Sequence, residues 1–132
     1  MEKKILRDNI ILRARFFRTV PCLTGHEVAV LAGEAAPDAS TVAARWRQAG
    51  LVFSVPRRRE EVYPAFQFRD GRPHETVGLV LGEFATRKRP WPVAFWFVSG
   101  NGWLDGAAPA DRLDDRDAVV EAARQVMEEV IW

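Results

Sequence analysis

The sequence has little of what most covalent and metal chemistry needs. Its 132 residues include one cysteine, Cys22, and two histidines, His26 and His74. A lone cysteine excludes an internal disulfide and a multi-cysteine metal site. Cys22 follows a proline with no base partner nearby in sequence, so it reads as an ordinary thiol. His26 sits in a capping motif and His74 near a helix start, and both read as structural. Gly-rich phosphate loops, HExxH and GxSxG are absent. The acidic run Asp111, Asp114, Asp115, Asp117 lacks the spacing and glycine of an EF-hand, and suits a helix N-terminus instead. No enzyme, metal or cofactor is expected. No apolar run approaches the roughly 20 residues of a membrane helix, and no signal-peptide core follows the basic start. The expectation is a cytoplasmic protein.

What is present is enough apolar residue, 48%, to build a core in a 14.9 kDa chain. That size is one domain, or two small modules sharing a core. The formal net charge of +1 hides an asymmetry. Residues 1–72 carry 13 Lys and Arg against 8 Asp and Glu, or +5; residues 73–132 carry 6 against 10, or −4. Such a split hints at an interaction surface. Trp91, Trp96, Trp103 and Trp132 all fall in the second half.

Residues 3–19 read as a basic helix with Ile5, Leu6, Ile10, Phe16, Phe17 and Val20 as apolar positions, ended by Pro21. Thr24 and Glu27 form a capping box opening a short helix that stops near Gly33. Asp38 or Ser40 caps a third helix, Thr41 to Ala49, with Gly50 as its stop. Its inward positions are Val42, Ala43 and Trp46; its outward ones are Arg45, Arg47 and Gln48. This is a helix-turn-helix pattern. Leu51 to Val55 reads as a strand, residues 56–61 as a charged hairpin tip, and Val62 to Phe68 as the returning strand, on an edge because of Pro64. The tip resembles the wing of a winged-helix module. DNA-binding candidates are therefore Thr41, Arg45, Arg47 and Gln48 on the helix and Arg57, Arg58 and Arg59 on the wing.

Past the Asp70-Gly71 turn, a helix runs from about Pro73 to Thr86, with Val77, Val80, Leu81 and Phe84 inward. Gly78 and Gly82 are expected to permit close helix packing. Trp91 to Ser99 is a buried helix or strand, residues 99–102 a turn, and residues 108–113 a helical step starting near Pro109. The last helix, capped by Asp115 or Asp117, carries Val119, Ala122, Ala123, Val126, Met127, Val130 and Ile131 in period, facing core or partner. Glu121, Glu128 and Glu129 stand opposite. The expected class is mainly α with a small β-hairpin: residues 1–72 a helix-turn-helix DNA-binding region, residues 73–132 a helical binding domain.

Trp96, Phe97, Asn101, Leu104, Gly106, Pro109, Leu113, Val119, Ala122 and Ala123 stand in an order and spacing that resembles the toxin-binding domain of the Xre/MbcA/ParS-like antitoxins. The match begins near Pro73. It departs at Gly100, where the family often has proline. Val62 to Phe68 with Gly71-Arg72 also resembles the segment preceding that domain. The N-terminal half departs further, with a short helix-turn-helix and hairpin in place of a lambda-repressor-type helix set. The resemblance implies a RES-domain toxin as partner, one related to ADP-ribosyltransferases acting on NAD, and repression of the protein's own operon. It also implies that Val130, Ile131 and Trp132 lie at the toxin's active site. Acidic charge would complement a cationic NAD cleft, which adds Glu128 and Glu129. A homodimer or toxin–antitoxin hetero-oligomer is expected. The alternatives are a stand-alone helix-turn-helix regulator that dimerises through its C-terminal half, and a binding module that does not touch DNA.

Overall fold

The computed structural model describes residues 2–34, 41–87 and 89–129. Helix α1, Glu2–Thr19, leads into strand β1, Cys22–Thr24, and helix α2, Gly25–Leu31. The expected capping box forms. Thr24 Oγ1 accepts from the Glu27 amide at 3.1 Å, and Glu27 Oε1 accepts from the Thr24 amide at 2.9 Å. Helix α2 ends in a Schellman motif: Gly33 takes φ +83°, the Gly33 amide donates to Val30, and the Glu34 amide to Ala29. Helix α3, Thr41–Gln48, ends the same way at Gly50, with Gly50 N–H on Arg47 and Leu51 N–H on Trp46. Its expected N-caps, Asp38 and Ser40, lie outside the described residues.

Strands β2, Val55–Arg57, and β3, Glu60–Pro64, form the hairpin. The three-stranded antiparallel sheet has the order β1-β3-β2. This corrects three expectations. The short β1 pairs Cys22 with Pro64, Leu23 with Tyr63 and Thr24 with Val62, so β3 is central rather than an edge. Pro64 is tolerated because it ends the strand, and the next amide, Ala65, donates to Pro21 at 2.8 Å. The first hairpin strand begins at Val55, because residues 51–54 are held by a side chain. Gln67, fully buried, accepts from the Phe53 amide at 2.8 Å and donates to the Phe53 carbonyl at 2.9 Å and the Pro64 carbonyl at 3.1 Å. Its amide does the work of a neighbouring peptide. Third, β3 stops short of Phe68: residues Ala65–Gln67 form a 3₁₀ turn, and β4, Phe68–Arg69, pairs with β5, Arg72–Pro73.

Asp70 and Gly71 both take positive φ, +53° and +77°, between β4 and β5. A Cβ on Gly71 would stand 2.2 Å from the Leu31 carbonyl oxygen, so only glycine fits. Arg72 donates to the Ala32 carbonyl at 3.0 Å. The turn is thus seated on the C-terminal end of α2.

Helix α4, Glu75–Phe84, is capped by His74, whose Nδ1 accepts from the Thr76 amide at 3.2 Å. Val77, Val80, Leu81 and Phe84 are buried as expected, against Val119, Ala122 and Ala123 of α6, Arg116–Glu129. The glycines of α4 do not serve helix packing. A Cβ on Gly78 would meet Gly50 and Leu51 at 3.6 Å, and one on Gly82 nothing within 4 Å. Helix α5, Pro90–Val98, settles the helix-or-strand alternative as helix. Two 3₁₀ turns, Gly102–Leu104 and Pro109–Asp111, connect it to α6.

The residues that carry the family resemblance serve this architecture. Phe97, Leu104, Leu113, Val119, Ala122 and Ala123 are 5% exposed or less. Asn101 Oδ1 accepts from the Trp103 amide at 2.9 Å, and its carbonyl takes the Gly106 amide at 2.9 Å. Gly106 turns the chain at φ +88°. The largest apolar cluster draws Phe16, Phe53, Val55 and Val62 from residues 1–72 and the α4–α6 residues from the rest. Phe53 stacks on Phe97 with ring centroids 5.4 Å apart and planes 7° from parallel.

Candidate nucleic-acid interface

The candidate surface is built on a small second core. Val28 and Ala29 of α2 and Val42 and Ala43 of α3 are at most 4% exposed, and Trp46 packs against both pairs. Val52 and Tyr63 close the floor, and the Trp46 ring lies 6.2 Å from Phe68. Burying Val42, Ala43 and Trp46 turns the opposite side of α3 to solvent. Thr41, Arg45 and Gln48 are exposed there.

Arg47 is not on that face, and its outward reading is corrected. Its Nη1 donates to Ser54 Oγ at 3.2 Å and pairs with Glu61 Oε1 at 3.5 Å. Ser54 Oγ donates to the same Glu61 oxygen at 2.9 Å. The helical period puts Arg47 beside the hairpin, and a carboxylate there captures it. This cluster ties α3 to β3 along a cleft of about 300 Å³ that also touches Val52, Phe53 and Leu81.

The hairpin tip is a two-residue turn. Arg58, at φ +59°, and Arg59 are both exposed. Arg57 is partly buried, with its guanidinium 5.8 Å from the Phe17 ring centroid, so it leans back on α1. The surface that remains for phosphates or base edges is Thr41, Arg45 and Gln48 on α3 with Arg58 and Arg59 on the wing. Glu61, Ser54 and Gln67, which hold this geometry, were missed at the sequence level. Apart from the Pro64 carbonyl that Gln67 also reaches, their partners lie 7 or 14 positions away, farther than one helical turn or one strand repeat.

Ionisable groups elsewhere are tied to structure. Burial pushes the Cys22 thiol up, against a smaller opposite pull from Arg57. Burial also raises the Tyr63 hydroxyl. Hydrogen bonds from Arg69 and then His74 hold Asp114 below the usual carboxylate range. His74 Nε2 stands 3.1 Å from that carboxylate; with Nδ1 accepting from Thr76, Nε2 is the donor. Asp115 pairs with Arg112 at 3.2 Å and Asp117 with Arg116 at 3.2 Å. Among the described residues no three His, Cys, Asp or Glu groups gather as metal ligands, and no helix is long and apolar enough to cross a membrane.

On the second half, Glu128 and Glu129 are exposed at the end of α6. Val130, Ile131 and Trp132 lie outside the described residues. Beside the last turns of α6 runs a mainly apolar groove of about 170 Å³, lined by Phe84, Pro92, Val93, Trp96, Val126 and Met127 with Arg87. The ring N–H groups of Trp91 and Trp96 are buried with no hydrogen-bond partner among the described residues.

Helices α2 and α3 are followed by the hairpin in a mainly α fold, with arginines exposed on α3 and on the hairpin tip. The fold itself has a solved counterpart. The NMR structure of Rv2175c superposes with a TM-score of 0.70, covering 82% of each chain at 20% identity. That likeness shows the fold alone. No protein-family profile matches the chain. In sequence it is 29% identical, over an alignment of 137 positions, to the chaperone protein HtpG of Nitratidesulfovibrio vulgaris. All of this chain aligns, but it spans only 20% of the length of that protein.

Proposed function

We propose that this protein is a DNA-binding regulator that also neutralises a toxin: the antitoxin of a RES-domain toxin, acting in the cytoplasm without a cofactor or a catalytic activity of its own. The observation that carries the DNA half is the joint exposure of Arg45 and Gln48 on α3 and of Arg58 and Arg59 on the wing. Two separate elements thus offer cations, and the Arg47–Glu61–Ser54 cluster fixes one relative to the other. Phosphate contacts from the wing would position α3 for base contacts. The toxin half rests on the family resemblance of residues 73–132, supported by the exposed Glu128 and Glu129 beside a mainly apolar groove.

Gel shifts on the DNA upstream of the gene test the first half. Replacing Arg45, Arg58 and Arg59 by alanine is expected to weaken binding and to flatten the salt dependence by up to about one unit of log–log slope per lost phosphate contact. An unchanged slope would remove this surface. Co-expression with the RES-domain toxin of the genomic neighbourhood tests the second half. The pair is expected to co-purify, with the truncation of Val130 to Trp132 weakening rescue. No rescue by the full chain would leave the stand-alone regulator.

A further inference from the structure

We propose that the cleft between α3, the hairpin and α4 is a binding site for a small apolar α-amino acid in its free, zwitterionic form. The cleft holds about 300 Å³, at the small end of ligand pockets. Its floor is apolar and buried: Val52, Phe53 and Leu81 are 7% exposed or less. At its polar edge stand Arg47, Ser54 and Glu61. A site with an apolar floor and one charged edge takes a ligand with the same two ends.

The charged edge is only partly used. Arg47 makes both of its contacts, to Ser54 and to Glu61, through Nη1. Glu61 receives both of its own through Oε1. Arg47 Nε and Nη2 and Glu61 Oε2 have no hydrogen-bond partner among the described residues. Both side chains are more than a third exposed, at 36% and 43%, so these atoms can be reached. The ion pair itself is 3.5 Å long, against about 2.7–2.9 Å for a well-made charge-assisted bond. It is a loose contact that leaves donors and an acceptor over on adjacent groups.

These leftover groups select the ligand. A simple anion on Arg47 would meet the Glu61 carboxylate beside it, and a simple cation on Glu61 would meet the Arg47 guanidinium. A free α-amino acid carries both charges next to each other. Its carboxylate can take the open edge of the Arg47 fork, its ammonium can donate to Glu61 Oε2, and its side chain can cover the apolar floor. In a peptide the two charges stand on different residues, so a peptide lacks this fit. The bound amino acid adds to the link that Arg47 and Glu61 already make between α3 and the hairpin. On the DNA reading it is an effector that sets one cationic element against the other; its binding is measured without DNA and stands apart from that reading.

The test titrates the full chain with L-leucine and L-phenylalanine, by calorimetry and by ¹H–¹⁵N spectra. The comparison ligands are leucinamide, which keeps the ammonium alone, 4-methylpentanoate, which keeps the carboxylate alone, and glycine, which lacks the side chain. At least one of the two amino acids is expected to bind with a Kd on the order of 1 mM, with the shifted amides centred on residues 50–54 and 81. Each comparison ligand should bind about tenfold more weakly or worse. Glu61→Gln removes the charge that the ammonium meets and that repels a lone anion. It should weaken leucine, strengthen 4-methylpentanoate and so narrow their affinity ratio about tenfold, a change of preference that a mere loss of stability does not produce. No binding of either amino acid at about 20 mM overturns the proposal. So do shifts centred away from the cleft, a comparison ligand that binds as well as the amino acids, or an unchanged ratio in Glu61→Gln.

Discussion

Gln67 shows how much one residue can decide. Its side chain satisfies both backbone groups of Phe53 and the carbonyl of Pro64, and thereby holds residues 51–54 out of the sheet. Leucine fills a similar volume but leaves these buried groups unpaired. Each unsatisfied group costs about 1–3 kcal/mol, so Gln67→Leu is expected to lower stability by on the order of 3 kcal/mol, read as a fall in the urea midpoint. A change under about 0.5 kcal/mol would mean that water or a backbone shift replaces the amide. Arg47 makes the same point for the interface. The helical period sets Arg47 beside the hairpin and off the exposed face of α3, and Glu61, 14 positions on, decides where the guanidinium goes.

At the scale of elements, local signals performed best. The α2 cap was legible because its donors and acceptors lie within four residues. Hydrogen bonds from the Thr24 backbone, then from its side chain, hold Glu27 below the usual carboxylate range. A depressed folded-state pKa contributes stability that is present above the ordinary glutamate pKa and lost as pH falls through the folded value. Thr24→Ala is expected to cost about 1 kcal/mol. Glu27→Gln keeps a capping amide but cannot titrate. The stability gap between wild type and Glu27→Gln should therefore be widest near neutral pH and close in acid; a gap that does not change with pH would remove Glu27 from the titration. Strand β1 was not legible: three residues give no alternation, and only its pairing with β3 makes it a strand. The same pairing put Pro64 inside a sheet that the sequence suggested it would border.

For the molecule as a whole, the charge split and the packing describe different divisions. Residues 1–72 and 73–132 carry opposite charge, yet Phe16, Phe53, Val55 and Val62 share one cluster with Trp91, Phe97 and the α4–α6 residues. Phe97 is fully buried between the halves, on Phe53 and Phe66. Residues 1–72 alone are expected to unfold without a cooperative transition, and the full chain in one transition common to tryptophan fluorescence and far-UV circular dichroism. Phe97→Ala should cost about 3–5 kcal/mol and lower that one midpoint for both probes. Two separated transitions would show that the small core of α2, α3 and Tyr63 unfolds independently of the shared one.

The sequence by itself determined the helices other than α5, the caps and stops at Thr24, Gly33 and Gly50, the buried stripe of α4 and the buried Val119, Ala122 and Ala123 of α6, the presence of a charged hairpin and the opposite charges of the two halves. These follow from interactions within one or two turns, which act on any chain with this spacing. Tertiary structure alone decided that Arg47 serves the scaffold, that Arg57 leans on α1, that Gln67 replaces a strand, that α5 is a helix and that β3 is central. Each of these depends on which distant groups the folded chain brings within hydrogen-bonding or van der Waals reach, and neither period nor composition encodes that distance.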